Sequence, residues 1–204
     1  MGVAAVTGVD FSRAMIEEAR ASSSDYKQIN FQVGTAYDTT LKNSSFDFLL
    51  ERALIHHLED LPSCFAEAFR ILRNQGTILI QDRAPSDCLL EGSYDHIRGY
   101  FFSQFPHLAE LEVKRRYPSD IVVRELKEAG FTDIQEVKRW EIRKTYPSKE
   151  ELLADIRSRH GRSILHELDD IELEQLIDFI DVELNGETTI VEKDRWTIWK
   201  ALKC

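Results

Sequence analysis

The chain has 204 residues, of which 43% are hydrophobic and 30% charged, and its formal net charge is −10. That length suits one domain, or one domain with a sizeable insertion, and is enough to bury a real core. The acidic balance argues against a general nucleic-acid binder, which needs a basic face, and no apolar run approaches the ~18 residues of a membrane span. Met1 leads straight into apolar sequence without a basic flank, so no signal peptide is read there. The cysteines Cys64, Cys88 and Cys204 have no zinc-type spacing and fit a reducing cytoplasm.

Ala4–Asp10 reads as a short strand ending in a carboxylate. Ser12 caps a helix with Met15, Ile16 and Ala19 on its apolar side, broken at Ser22-Ser23-Ser24-Asp25. Ile29–Val33 is a second strand, stopped at Gly34, and Phe46–Leu50 a third, announced by Asn43-Ser44-Ser45. Asp60 caps a helix with Pro62 in its first turn and Leu61, Phe65, Phe69 and Leu72 at helical spacing. Thr77–Gln81 is a fourth strand. The runs Phe48-Leu49-Leu50 and Ile78-Leu79-Ile80 suit strands buried on both sides.

Residues 84–118 are aromatic-rich with little clean periodicity. Pro118-Ser119-Asp120 starts a helix closed by Ala129-Gly130-Phe131, and Asp133–Trp140 is a strand. Ser148 with Glu151 opens another helix, Gly161-Arg162-Ser163 interrupts, a helix follows near Asp170–Leu184, and Trp196–Leu202 is the last strand. The alternation implies an α/β fold: a Rossmann-like, mostly parallel sheet with helices on both faces. The last two strands are expected to be antiparallel neighbours at its C-terminal end. Residues 1–204 read as a single domain with insertions at 84–118 and 147–186, both near the strand ends where ligands bind in open α/β sheets.

Asp10 carries the most functional information. An acid ending a strand of a nucleotide-binding α/β fold can accept bonds from ribose hydroxyls, but it usually follows a glycine-rich loop by about 20 residues. Only residues 1–9 precede Asp10, so the loop does not fit, and the first, central strand reads as missing.

The ordered matches resemble class I S-adenosylmethionine-dependent methyltransferases of the type 11 group, over roughly residues 3–140 and the last strand. Val6-Thr7-Gly8-Val9-Asp10-Phe11-Ser12 is similar to the second strand and its ribose-binding acid. Phe31-Gln32-Val33-Gly34-Thr35-Ala36 is similar to the third strand and its adenine-contacting loop. Asn43-Ser44-Ser45-Phe46-Asp47, Ile55-His56-His57-Leu58-Glu59-Asp60, Ile71-Leu72-Arg73-Asn74-Gln75-Gly76-Thr77 and Glu128-Ala129-Gly130-Phe131 follow in the family's order. Met1-Gly2-Val3 resembles the end of the helix after the glycine-rich loop. Thr35 stands where the family often has an acid, with Asp38 a candidate substitute.

The resemblance implies S-adenosyl-L-methionine as cofactor and a small-molecule methyl acceptor as partner. It also implies Asp10 at the ribose, with Phe11, Thr35 and Ala36 at the base. Glu51 and Arg52 fall at the methionine end, Arg52 pairing with its carboxylate or, alternatively, with a surface neighbour. His56 and His57 are candidates for a general base or for packing at a helix start; adjacent helical residues point about 100° apart, which argues against joint metal ligation. Lys114-Arg115-Arg116 reads as a solvated helix face, with an anion site the alternative. His160 and His166 read as a polar linker or as part of a substrate pocket. The aromatic segment and the helical insertion are the expected acceptor pocket. A competing reading is a non-catalytic remnant acting through protein contacts, because a missing strand leaves unpaired edges that favour strand exchange or a homo-oligomer. A nicotinamide dehydrogenase is a weaker alternative.

Overall fold

The computed structural model describes residues 4–186 and 189–204. The expected helix end at Met1-Gly2-Val3 lies outside the described residues. Strand β1 (Val6–Asp10) and helix α1 (Arg13–Ser22) lead to β2 (Ile29–Val33), which pairs parallel to β1 as a two-stranded sheet. The Ser12 hydroxyl accepts the Met15 N–H, as its position before the helix predicts. Ile16 is buried, but Met15 is 54% exposed, against the expectation of an apolar side chain turned inward. With only two strands beneath α1, a single residue of that stripe finds full cover.

The second sheet has the order β3-β4-β6-β5, formed by β3 (Phe46–Arg52), β4 (Leu72–Asp82), β5 (Phe131–Tyr146) and β6 (Ile190–Lys203). β3 and β4 are parallel; β6 runs antiparallel to both β4 and β5, giving the expected mixed end. β1 and β3 belong to different sheets and do not pair with each other. Helix α2 (Leu61–Ile71) is capped by the Asp60 carboxylate, which accepts the Ser63 N–H. With α6 (Ser119–Glu128), it covers one sheet face. Phe65, Ala68, Val122 and Leu126 pack there with Ile78, Ile80, Trp199 and Ala201. The opposite face holds Phe48 and Leu50, 53% and 51% exposed. The reading of Phe48-Leu49-Leu50 as buried on both sides is therefore corrected: α2 and α6 lie on the Leu49 side only.

Residues 84–118, which show no clean period, form three short helices: α3 (Pro85–Cys88), α4 (Arg98–Gln104) and α5 (Pro106–Lys114). Their apolar side chains join those of α7 (Lys149–Arg157), the turn Ser163–Glu167 and α8 (Asp170–Glu183) in a second core around Phe101, Leu108, Ile156, Leu165 and Leu176. The two segments read as separate insertions thus share one apolar cluster. β5 and β6 run through both cores, with Phe131, Trp199 and Ala201 in the first and Tyr146 and Ile190 in the second. No helix among the described residues is long and apolar enough to cross a membrane.

Candidate cofactor and acceptor site

β1 and β2 end side by side, Asp10 in register with Val33, and the Gly34 N–H donates to the Asp10 carbonyl at 3.1 Å. Asp10 Oδ1 accepts the Ser12 N–H at 2.7 Å, which fixes the carboxylate on the helix cap. Oδ2 has no hydrogen-bond partner among the described residues. Phe11 is 79% exposed, so it is no core aromatic. The Thr35 hydroxyl accepts the N–H groups of Tyr37 and Asp38 at 3.2 and 3.0 Å, tightening the loop beyond β2. Ala36 packs partly against the α2-side core, and the Asp38 carboxylate turns back to the Thr40 N–H at 3.1 Å. A carboxylate oxygen free to accept, beside a backbone turn at the same end of two parallel strands, fits a ribose diol and an adjoining base.

Glu51 and Arg52 are already engaged. Arg52 Nη2 donates to Glu141 at 2.7 Å, and its guanidinium lies 5.2 Å from the Trp196 ring centre, so the surface-neighbour alternative describes its contact. Glu51 points into the α2-side core, where its Oε1 accepts from the Cys64 thiol at 3.5 Å and Oε2 has no partner among the described residues. Burial pushes its carboxyl up to about 7.

The histidines sit in a single 3₁₀ turn, Ile55–His57, between β3 and α2, and differ sharply in setting. His56 Nδ1 lies 2.9 Å from both Asp82 oxygens, and its backbone N–H donates to Oδ2 at 3.3 Å. His57 is exposed; partial burial and the neighbouring His56 lower its pKa. Burial raises the Asp82 carboxyl, but the His56 bond and charge, the Arg83 N–H and Arg116 outweigh it and hold it below the usual range. Two tyrosines grip the same turn. Tyr37 Oη accepts the N–H groups of Glu59 and Asp60 at 3.2 and 3.4 Å, and Tyr117 Oη donates to the Leu58 carbonyl at 2.7 Å. Tyr37 thus joins the loop of Thr35 and Ala36 to the histidine turn.

Beside this turn lies a cleft of 440 Å³ lined by His56, His57, Leu58, Glu59 and residues 114–117. The Lys114-Arg115-Arg116 run is split by the fold. Lys114 is exposed and Arg115 half-buried, whereas Arg116 is 6% exposed and bonds Glu112 at 2.7 Å and Asp82 at 3.2 Å. Phe101 and Phe102 are buried in the second core rather than lining this cleft, and His160 and His166 are exposed outside it.

Sequence reasoning missed Asp82, Tyr37 and Tyr117, and read Arg116 as part of a solvated helix face or an anion site rather than as a buried partner of Asp82. Asp82 had a usable signal, an acid ending the apolar run Ile78-Leu79-Ile80-Gln81 as Asp10 ends its own strand. The tyrosines had none and the basic run of Arg116 did not show its burial, because the partners are 22 to 59 residues away.

Residues 1–80 match the family model described as a methyltransferase domain. An uncharacterized methyltransferase, YcgJ of Bacillus subtilis, is 32% identical over 93 residues, 44% of this chain and 37% of that protein. The chain spans about a third of the length of the curated relatives it matches. A putative methyltransferase from an antibiotic biosynthesis pathway of Anabaena variabilis superposes with a TM-score of 0.67 at 20% identity, over 94% of this chain and 80% of that one. Phosphoethanolamine N-methyltransferase 2 of Haemonchus contortus, bound to phosphomonomethylethanolamine and S-adenosylhomocysteine, superposes with a TM-score of 0.52 at 19% identity, over 97% of this chain and 43% of that one. At these identities the two structures show a shared α/β fold.

Proposed function

We propose, from the match of residues 1–80 to the methyltransferase domain model, that the chain takes part in S-adenosylmethionine-dependent methyl transfer to a small, phosphate-bearing amine. The observation that carries the acceptor side is the cleft in which two histidines face Lys114 and Arg115. A cationic rim is what a phosphate group seeks, and the neighbouring imidazoles suit an amine that must lose a proton. The Haemonchus contortus protein, bound to a phosphorylated amine, supports the same class.

Asp10 would hold the ribose, and Phe11, Thr35 and Ala36 would border the base. Glu51 meets Cys64 and Arg52 meets Glu141, so a part for either at the methionine end would require those contacts to be exchanged. When bound, the cofactor would supply an electrophilic methyl group on a sulfonium sulfur, so that the acceptor would need only a free lone pair directed at it. Orientation provides much of the rate, and effective molarities allow roughly 7–11 kcal/mol from it alone. Tyr37 and Tyr117 serve orientation by fixing the turn beside the cleft.

Calorimetry with S-adenosylhomocysteine, followed by methyl-transfer assays on phosphoethanolamine and ethanolamine, tests the reading. Binding is expected, with kcat/KM at least about tenfold higher for the phosphorylated amine, the worth of one charge-assisted contact. Absent or millimolar binding sinks the reading; equal use of the two amines removes the phosphate from it.

A further inference from the structure

Two adjacent histidines, His56 and His57, line the cleft. The structure distinguishes them by anchoring. His56 is held on Nδ1 by Asp82, whose two oxygens both lie 2.9 Å away, while His57 makes no side-chain hydrogen bond among the described residues. The Asp82 side chain is 1% exposed and also accepts from the Arg83 N–H at 2.7 Å and from Arg116 Nη1 at 3.2 Å. Arg116 is locked in turn by Glu112, itself bonded to buried Arg98. The carboxylate is therefore held, independently of the imidazole, by the N–H of its chain neighbour Arg83 and by Arg116 from a separate segment.

We infer that His56 is the group that takes the acceptor's proton and that Asp82 is its positioning residue. This rests on the methyl-transfer reading. Asp82 is charged, so Nδ1 must carry a proton to donate to it, which leaves Nε2 as the basic nitrogen. Among the described residues Nε2 makes no hydrogen bond and is not one of the enclosed polar atoms, so it keeps access to the cleft that His56 lines. An acceptor ammonium breaks an N–H bond, keeps the electron pair on nitrogen and passes the proton to Nε2. The imidazolium so formed is stabilised by Asp82 and later releases the proton to solvent. His57 is the poorer candidate: its own pKa is lowered by partial burial and by His56, and its ring packs against His56 without a side-chain hydrogen bond among the described residues.

This assignment narrows the acceptor chemistry. A base poised by a buried carboxylate serves an acceptor that arrives protonated, such as a primary or secondary ammonium. A thioether or a tertiary amine present as its free base needs no such group.

The test reads the tautomer and the rate separately. In the wild-type chain, two-dimensional ¹⁵N–¹H NMR of the imidazoles should show His56 as the Nδ1–H form. In Asp82→Asn the amide NH₂ can donate to Nδ1, which shifts the proton to Nε2 and removes the base. With phosphoethanolamine, Asp82→Asn and His56→Gln should each lose about 10²–10⁴-fold in kcat, the range for a general base. The dissociation constant of S-adenosylhomocysteine should stay within about twofold, which also confirms that each variant is folded. His56→Gln keeps Asp82 and its arginine network, so it tests the base even where Asp82→Asn folds poorly. Wild-type His56 found as the Nε2–H form overturns the dyad whatever the activity. A kcat loss confined to His57→Gln, with His56→Gln active, overturns the assignment. A chain that does not bind S-adenosylhomocysteine overturns the functional reading while the tautomer still decides the dyad.

Discussion

Glu51 Oε1 and the Cys64 thiol face each other at 3.5 Å across the β3–α2 contact, and the second carboxyl oxygen has no partner among the described residues. Burial raises both acids, Glu51 to about 7. The unfolded chain loses the Glu51 proton near 4.5, whereas the folded chain keeps it to about 7. Between those values the folded state binds the extra proton, so stability falls as pH rises through the window, by roughly 3 kcal/mol. Glu51→Gln keeps the shape and removes the titration. Urea unfolding at pH 5 and pH 8 should show a smaller difference for the variant than for the wild type, with the variant more stable at pH 8. An unchanged pH difference would show that Glu51 ionises normally in the fold.

The Arg162 and Glu192 side chains are 1% and 2% exposed and bonded at 2.9 Å. Arg162 also donates to Tyr146 and Asp155 at 3.1 Å, and Arg143 joins from the other side. Removing one partner strands a buried charge. Arg162→Met should cost about 3–5 kcal/mol in denaturant unfolding. A loss under about 1 kcal/mol would mean that water reaches the cluster.

Gly130 closes α6 at φ +99°, and a Cβ there would lie 3.1 Å from the Phe69 ring. Gly130→Ala combines backbone strain with a ring contact that must give way. A cost of roughly 1–3 kcal/mol follows, read as a lowered thermal midpoint with the circular dichroism of the folded state unchanged.

Asp10→Asn tests the ribose assignment apart from stability. Asn retains an acceptor for the Ser12 N–H, so the α1 cap survives. Loss of charge assistance, at about 1.5–3 kcal/mol per bond, should weaken S-adenosylhomocysteine binding about 10–100-fold by calorimetry. Unaltered affinity would leave Asp10 as a helix-start acid only.

Legibility in the sequence followed the range of the interaction. Ile29–Val33, the Asp60 cap, the Ser12 cap and the Gly130 stop are set by neighbours a few residues away, and each stands where it was read. The antiparallel end of the sheet was also legible. The helices between residues 84 and 114 were not, because Phe101 and Leu108 are buried against Ile156, Leu165 and Leu176, which come much later in the chain. Met15 and Phe48 failed for a related reason: apolar character is visible in sequence, but the element that covers it is not. In the site, the His56–Asp82 contact spans 26 residues, and only the fold brings the acid ending β4 beneath the histidine turn.

The β5–β6 ribbon that runs through both cores behaves as a ruler. From Phe131 to Tyr146 it measures about 50 Å at the usual rise per residue, and its pairing continues from Phe131–Lys203 to Tyr146–Ile190. Inserting one residue in each strand would move one core by about 3.3 Å and invert every side chain beyond the insertion; inserting two would move it by about 7 Å and restore the faces. The spacing between the two halves can therefore be retuned only in even steps, unless a bulge absorbs the odd residue. The ribbon already interrupts its register twice, between Thr132 and Gln135 and between Ile142 and Lys144.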